Sequence, residues 1–292
     1  MTVREGLLVL ADGSTFEGEL IGAQAPGGVA SGEVVFNTVL SGYQEVVSDP
    51  SYAGQVITFT YPHIGNYGVN PADDESRRPF CRGVVVRDLA RRRSNWRSTG
   101  DLDAYLARHG VPGIAGVDTR RLTRRIREAG ALPCAFGDAD EVTLKAAAVA
   151  EPGTDGRDLV AEVTTAEAYD VAATGAGTAS GRRIVAYDFG IKTTILRHLS
   201  GLGAVTVVPA STSAADVLAR RPDGVFLANG PGDPAAVTYG VSAIRGLLDQ
   251  VPIFGICLGH QLLSTALGGG TEKLPFGHHG GNHPVQDLES GH

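Results

Sequence analysis

Residues 252–261 read Pro-Ile-Phe-Gly-Ile-Cys-Leu-Gly-His-Gln, and this stretch decides the fold of the second half of the chain. Its apolar start predicts a buried strand, and a helix is predicted from Leu258 to Leu267. Between them lies a Gly-x-Cys-x-Gly turn, which is the nucleophile-elbow arrangement with cysteine in the position of serine. The turn places the sulfur of Cys257 at a helix N-terminus, whose partial positive charge favours the thiolate. A buried structural thiol is the competing interpretation.

The alternation of strand and helix extends from this turn back to about residue 183. Apolar strands are predicted at 184–188, 204–208, 224–228 and 252–256, with amphipathic helices between them. Strands that are apolar throughout indicate a parallel sheet that is covered on both faces. This half of the chain therefore belongs to the α/β class.

The stretch Asn229-Gly-Pro-Gly-Asp-Pro234 follows the third of these strands. Ligands gather at the carboxyl ends of parallel strands, so we expect this turn to lie beside the cysteine elbow. Gly230 and Gly232 allow backbone N–H groups to approach a ligand closely. The N–H of Leu258 is expected to face the position where an oxyanion would form. The stretch also fits an ordinary turn, and its pairing with the elbow favours binding.

The first half of the chain is predicted to be rich in strands. Asp12-Gly13 lies between two apolar runs and predicts a hairpin. A later helix is predicted to begin at Asp118 or Thr119 and to end at Gly130.

Residues 171–182 are small and flexible, and they predict a linker that has nothing to bury. We therefore divide the chain into an N-terminal β-rich α+β domain at 1–170, the linker, and a parallel-sheet domain at 183–292.

The composition excludes several classes of protein. The 292 residues include 25 Lys and Arg against 32 Asp and Glu, and this acidic balance argues against binding to nucleic acid or to anionic membranes. No apolar run approaches the roughly 18–20 residues that span a bilayer, and the first residues do not resemble a signal peptide. The three cysteines, Cys81, Cys134 and Cys257, are too widely spaced for a disulfide framework or a zinc knuckle. A reducing cytoplasm is the expected location.

The two glycine-rich motifs together resemble those of the triad-type glutamine amidotransferases. Further stretches are similar to the small, glutamine-hydrolysing subunit of carbamoyl-phosphate synthase, from about Leu7 to the last residues. They are Gly32-Glu-Val-Val-Phe-Asn37, Gly42-Tyr-Gln-Glu45, Asp49-Pro-Ser-Tyr52, Thr60-Tyr-Pro-His-Ile-Gly-Asn66, Val163-Thr-Thr-Ala-Glu-Ala-Tyr169, Ala186-Tyr-Asp-Phe-Gly190 and Phe276-Gly-His-His-Gly-Gly-Asn-His-Pro284. The resemblance implies a small-subunit domain followed by an amidotransferase domain.

The resemblance also implies roles for individual residues. Cys257 matches the nucleophile that attacks the side-chain amide of glutamine. Leu258 and Gly230 match the backbone donors to the oxyanion. Gly232 and Gln261 match positions that hold the substrate. Ser51 matches a serine of the N-terminal domain that reaches the bound glutamine; without the resemblance it would read as a turn residue.

The partner that the resemblance implies is the large subunit of carbamoyl-phosphate synthase. This subunit uses ATP, Mg²⁺, bicarbonate and the delivered ammonia to make carbamoyl phosphate, which feeds arginine and pyrimidine synthesis. The present sequence contains no phosphate-binding loop, so we expect no cofactor and no metal in this chain.

One departure from the family pattern concerns the base. A cysteine nucleophile needs a histidine oriented by a carboxylate, and the family resemblance expects them in a Gly-His-Pro-Glu segment after the elbow. Here only His283-Pro284-Val285 is found, so the sequence resembles a version truncated at its C-terminus. His260 is a weaker candidate because it is expected to point along the helix.

Three further interpretations stay open. His278, His279 and His283 could bind a metal ion, although a glycine-rich loop capped by imidazoles fits better because no carboxylate or cysteine completes the site. The five arginines of 119–129 could form a solvated helix face or dock onto the large subunit. The whole chain could instead be a non-catalytic scaffold for the large subunit or a stand-alone cysteine amidohydrolase.

We predict that the isolated chain releases little or no glutamate from glutamine, because the general base is missing. Cys257 is still expected to react with electrophilic glutamine analogues. An assay of glutamate release by the isolated chain tests this prediction, and normal turnover would contradict the missing base.

Overall fold

The computed structural model describes residues 4–277, 284 and 286–292. The histidine cluster at 278–283 lies outside the described residues. Among the described residues, no group of three or more His, Cys, Asp or Glu side chains is arranged to hold a metal ion. None of the described helices is long and apolar enough to cross a membrane.

The first half of the described chain is built around a closed barrel of strands. The strands are β1 (Glu5–Leu10), β2 (Thr15–Gly22), β3 (Val29–Asn37), β4 (Gln55–Phe59), β5 (His63–Ile64), β6 (Gly83–Val85), β7 (Asp88–Leu89), β8 (Pro112–Ala115) and β9 (Leu132–Gly137). The barrel order is β1-β2-β8-β6-β4-β3-β9, while β5 and β7 pair separately. The helices of this half are α1 (Tyr43–Ser48), α2 (Leu102–Arg108), α3 (Thr119–Ala129), α4 (Glu141–Ala150) and α5 (Val160–Val163).

Alternating residues of the barrel strands pack in two directions. Val34, Val56 and Val85 share a buried cluster with Leu122 and Ile126 of α3. Their neighbours along the strands belong to a second cluster with α1 and α2. Because successive side chains of a strand point to opposite faces, both sides of the barrel wall are buried here.

The hairpin and the helix ends that the sequence predicts in this half are confirmed. β1 and β2 form an antiparallel hairpin around Asp12-Gly13, and Gly13 has a φ of 91°. The side chain of Asp118 accepts a hydrogen bond from Arg121 N–H at 2.9 Å, and Gly130, with a φ of 92°, follows the last residue of α3. Arg125 of this helix pairs with Asp12 of the β1–β2 turn at 2.6 Å, so part of the arginine cluster contacts the barrel.

The second half is a mixed sheet flanked by helices. Its strands are β10 (Tyr169–Val171), β11 (Arg183–Asp188), β12 (Ala204–Pro209), β13 (Gly224–Leu227) and β14 (Ile253–Gly255), in the order β10-β12-β11-β13-β14. The helices are α6 (Gly177–Ser180), α7 (Thr193–Ser200), α8 (Ala214–Ala219), α9 (Thr238–Leu247) and α10 (Leu258–Ala266). The predicted parallel strands β11 to β14 are confirmed, and the chain is α/β as expected.

The predicted linker is partly wrong. Val171 lies in β10, which pairs antiparallel with β12 and places Val171 opposite Val205. Gly177 is buried, and a Cβ there would approach the carbonyl oxygen of Ser200 within 2.3 Å. Small residues in this segment therefore allow close packing and not only flexibility. The domain boundary drawn through 171–182 stays a prediction.

The expectation that both faces of the sheet are covered is wrong at β14. Helices α9 and α10 pack on one face through Ile244, Leu258 and Leu262. On the other face, Phe254 is 65% exposed and leans on Phe226 with ring centroids 6.2 Å apart. An apolar strand predicts burial only where another element lies over it, and no described element lies over this side of β14.

The close approach of α10 to β13 makes a testable stability prediction. A Cβ at Gly259 would lie 2.2 Å from the carbonyl oxygen of Leu227, whereas one at Gly270 would meet nothing within 4 Å. We expect Gly259→Ala to lower the free energy of unfolding by about 1–3 kcal/mol, because overpacking moves backbone. Gly270→Ala is the matched control. Equal denaturant midpoints for the two variants would contradict this packing.

Candidate active site

The cysteine elbow has the predicted strand–turn–helix geometry. Cys257 follows β14 after one residue and immediately precedes α10. Its φ of 53° and ψ of −116° are strained for a residue with a side chain, and such strain persists only where the surroundings impose it. The flanking glycines allow so tight a turn, because a Cβ at Gly255 would lie 2.7 Å from the carbonyl carbon of Gly259.

The two predicted oxyanion donors lie beside the sulfur. The backbone N–H groups of Leu258 and Gly230 lie close to the Cys257 sulfur and favour its thiolate, which acts to lower the pKa of the thiol. Gly230 can reach this position because it has no side chain. A Cβ at Gly230 would lie 2.2 Å from the carbonyl oxygen of Phe189. A hydrogen bond from Gly259 N–H to the carbonyl of Ala228, 3.0 Å long, joins the elbow to the end of β13.

The expectation that the helix N-terminus makes Cys257 a ready thiolate is wrong for this structure. Desolvation by the surrounding protein raises the pKa of the thiol, and the negative charge of Asp49 raises it further. The two N–H donors and Lys192 oppose this effect without overcoming it. Cys257 is nevertheless exposed on one side, while Cys81 and Cys134 are buried.

Ser51 is brought to the same place from the barrel half of the chain. It lies in a 3-10 turn, Pro50–Tyr52. Asp49 caps this turn, because its Oδ1 accepts a hydrogen bond from the Ser51 N–H at 2.9 Å. Lys192 Nζ lies 3.4 Å from Asp49 Oδ2. Ser51 Oγ accepts a hydrogen bond from Asn229 Nδ2 at 2.9 Å. Ser51 is thus tied to the residue that precedes Gly230.

Gly232 and Gln261 lie on the same two segments as the donors. Gly232 has a φ of 85°, and a Cβ there would come within 2.8 Å of the carbonyl oxygen of Arg157. Gln261 occupies the first turn of α10, where its N–H donates to the carbonyl of Cys257 at 3.0 Å. Its side chain is exposed.

No histidine hydrogen-bonds to the Cys257 sulfur within residues 4–277, 284 and 286–292. His260 is exposed on α10. The described residues therefore bring together the predicted nucleophile and the two predicted oxyanion donors without an imidazole in contact with the sulfur.

Sequence reasoning missed three residues of this site, namely Asp49, Lys192 and Asn229. The sequence marks Asn229 only as the first residue of a turn, and Asp49 only as part of a family motif. The signal that could have found Asn229 is its position at the end of a parallel strand, where polar side chains reach ligands.

The sequence also matches known families. A family model described as carbamoyl-phosphate synthase small chain, CPSase domain, matches residues 8–136, and one described as glutamine amidotransferase class-I matches residues 185–291. The carbamoyl phosphate synthase small chain of Thioalkalivibrio sulfidiphilus is 54% identical over 303 residues, covering 99% of this chain and 79% of the relative. The chain belongs to the carbamoyl-phosphate synthase small chain family.

Other small chains of this family are similarly close. That of Escherichia coli strain K12 is 52% identical over 98% of this chain and 78% of its own length. That of Pseudomonas aeruginosa is 50% identical over 99% of this chain and 80% of its own length. Among solved structures, a peptidase M28 precursor from Shewanella amazonensis SB2B gives a TM-score of 0.28 at 7% identity over 91% of this chain and 70% of its own length, and we draw nothing from it.

The two matched ranges of this carbamoyl-phosphate synthase small chain divide the site between them. The first spans the barrel and contributes Ser51, and the second spans the sheet, the Asn229 turn and the elbow. The candidate site therefore needs both parts of the small chain to be correctly apposed.

The charges around Cys257 predict opposite effects of two substitutions on its pKa. Asp49→Asn is expected to lower the pKa and Lys192→Gln to raise it, because the two side chains act on the sulfur with opposite signs. Since only the thiolate is alkylated, Asp49→Asn should react faster with iodoacetamide at a fixed pH below the pKa, and Lys192→Gln more slowly.

The pH dependence of the alkylation rate measures these shifts. In the unmodified chain its inflection should lie above the value of about 8.5 for a free cysteine. Cys81 should stay unlabelled because burial raises its pKa to about 12. Shifts of the same sign in both variants, or an inflection below that of free cysteine, would contradict the electrostatics described here.

Proposed function

We propose that this chain is the glutamine-hydrolysing subunit of a carbamoyl-phosphate synthase, and that Cys257 releases ammonia from L-glutamine. The observation that carries the proposal is the meeting of Cys257 with the N–H groups of Leu258 and Gly230. A nucleophile with two fixed N–H donors suits the tetrahedral intermediate of acyl transfer. We further assign the second half of the chain to the triad-type amidotransferases.

The proposed reaction has two steps. The sulfur of Cys257 bonds to the side-chain amide carbon of glutamine, and the carbonyl oxygen becomes an oxyanion held by the N–H groups of Leu258 and Gly230. The carbon–nitrogen bond then breaks, and the thiol proton ends on the leaving nitrogen, which departs as ammonia. Water next cleaves the thioester, which gives glutamate and restores the thiol.

The raised pKa of Cys257 has a consequence for this mechanism. Because the free site favours the thiol, the nucleophile must be deprotonated as the reaction proceeds, and this limits hydrolysis of glutamine in the absence of a base. A neutral thiol also reacts more slowly with oxidants, which act on thiolates. Ser51, Gly232 and Gln261 are proposed to hold the substrate.

The proposal includes a partner. Free ammonia in neutral water is mostly ammonium, which is not a nucleophile, so the product must reach a second site while it is sheltered from water. We propose that this site belongs to the large synthase subunit, with ATP and Mg²⁺ bound there, and that the complex works in the cytoplasm.

This chain is not proposed to bind the nucleotide. Helix α7 begins at the point where the strand order reverses between β12 and β13. In open α/β sheets, the N-terminus of a helix at such a point is a usual place for a phosphate group. Here the carboxylate of Glu75 accepts the N–H of Thr194 at 2.9 Å, and its carbonyl accepts that of Thr193 at 2.8 Å. Glu75 thus occupies the first two N–H groups of α7, and its buried carboxylate would repel the charge of a phosphate.

The test uses the complex of this chain with its large subunit. Cys257→Ser is expected to abolish the glutamine-dependent synthesis of carbamoyl phosphate that the unmodified chain supports, because the nucleophile is lost. Synthesis from added ammonium salts should stay unchanged, since it does not use the elbow.

Cys134→Ala removes a buried thiol of the barrel and serves as the matched control, with both activities expected to persist. If Cys257→Ser kept its glutamine-dependent rate, the proposed role of the sulfur would be wrong. If the unmodified chain assembled with the large subunit but supported only ammonium-dependent synthesis, the non-catalytic scaffold would be the better description.

A further inference from the structure

Asn229 connects the two halves of the site through one amide nitrogen. It follows β13 after Ala228 and is only 3% exposed. Its Nδ2 donates to the carbonyl of Gly190 at 2.8 Å and to Ser51 Oγ at 2.9 Å, and it lies 3.4 Å from Asp49 Oδ1. Three acceptors therefore surround the nitrogen and fix the orientation of the amide.

This arrangement decides how the Ser51 hydroxyl can bind a ligand. A serine hydroxyl has one donor and two acceptor lone pairs. Asn229 occupies a lone pair, and the Ser51 N–H is already bound to Asp49. The Ser51 O–H donates to no residue in the described part of the chain, so its proton is left for an acceptor on a bound molecule.

We propose that Asn229 is a positioning residue that holds the Ser51 hydroxyl in the orientation in which it donates a hydrogen bond to bound glutamine. The inference rests on the proposed function. The amide carbonyl oxygen of glutamine is assigned to the N–H groups of Leu258 and Gly230, and the α-ammonium has only donors. The carboxylate is therefore the acceptor that remains for Ser51.

The buried oxygen of the same side chain explains why the residue is asparagine. Asn229 Oδ1 is buried and finds no hydrogen-bond partner among the residues that the structure describes. Leaving this buried oxygen unpaired costs free energy. The opposite orientation of the amide would cost more, because it would place Oδ1 against two other acceptors, Gly190 O and Asp49 Oδ1. An aspartate at 229 has the same shape but directs a charged oxygen at these acceptors. It should therefore disturb Ser51 more than alanine does.

The experiment measures binding of L-glutamine to the complex of this chain with its large subunit. All variants carry Cys257→Ser so that no turnover occurs, and the dissociation constant is measured by calorimetry. Ser51→Ala and Asn229→Ala are each expected to weaken binding by about tenfold, as for loss of a hydrogen bond to a charged group. Asn229→Asp should weaken it more.

The double variant separates positioning from a merely structural role. If Asn229 acts through Ser51, the Ser51→Ala, Asn229→Ala pair should bind within about threefold of the weaker single variant, because contacting residues are not additive. The matched control is Asn37→Ala, another buried asparagine, which donates to Tyr52 and not to Ser51. It should lower thermal stability to a similar extent while changing glutamine binding by less than about twofold.

A second substrate tests which group Ser51 recognises. 4-Aminobutanamide has the reacting amide and the amine of glutamine but lacks the carboxylate. In complexes that retain Cys257, Asn229→Ala should lower kcat/KM for glutamine, mainly through KM, by several-fold more than it lowers kcat/KM for 4-aminobutanamide.

Three results would overturn the inference: glutamine binding by Asn229→Ala equal to that of the parent, additive losses in the double variant, or an equal loss with Asn37→Ala. Equal losses on both substrates would overturn the assignment to the carboxylate. If the Cys257→Ser parent itself bound no glutamine, the proposed function and this inference would fail together. If the parent bound glutamine and Asn229→Ala bound it equally well, only this inference would fail.

Discussion

The contact of the first turn of α10 with the end of β13 is the constraint on which the site depends. Gly259 has no side chain, so its N–H can reach the carbonyl of Ala228 at 3.0 Å. This contact lies at the start of the helix, directly after Cys257, whose φ of 53° is positive, and Gly255 leaves the space that the turn needs. The same contact sets the distance between the elbow and the Asn229 turn, so that N–H groups from two segments converge on one sulfur.

The barrel is the second necessary part, and buried polar contacts hold it against the sheet. Glu75 caps α7, Asn229 binds Ser51, and Lys273 pairs with Glu33 at 3.0 Å. The last of these pairs lowers the pKa of Glu33, which also accepts hydrogen bonds from Gln55 and Thr154 despite its burial. Because each contact joins groups that would be costly to bury unpaired, separating the two halves would disrupt several of them together.

The residues that could be predicted from the sequence are those whose partners are near in the chain. The Asp118 cap, the Asp12-Gly13 hairpin and the turn at Cys257 each depend on a few neighbouring residues, and all three are found. The contact of Asn229 with Ser51 spans 178 positions, so no local pattern indicates it. The raised pKa of Cys257 has the same origin, because it depends on atoms that only the complete fold brings near.

The exposed face of β14 shows the other limit of sequence reasoning. Phe254 and Ile256 are apolar, and their pattern predicts burial, but burial depends on whether another element covers them. Strand propensity indicates that a face of the strand could be buried, but it does not indicate whether another element packs on that face.

The most direct measurement of the central claim is a crystal structure of the complex carrying Cys257→Ser with L-glutamine bound. The account predicts the amide carbon above the serine oxygen that replaces the sulfur, with the carbonyl oxygen between the N–H groups of Leu258 and Gly230. Glutamine bound elsewhere, or with its carbonyl oxygen turned away from these two groups, would contradict the account.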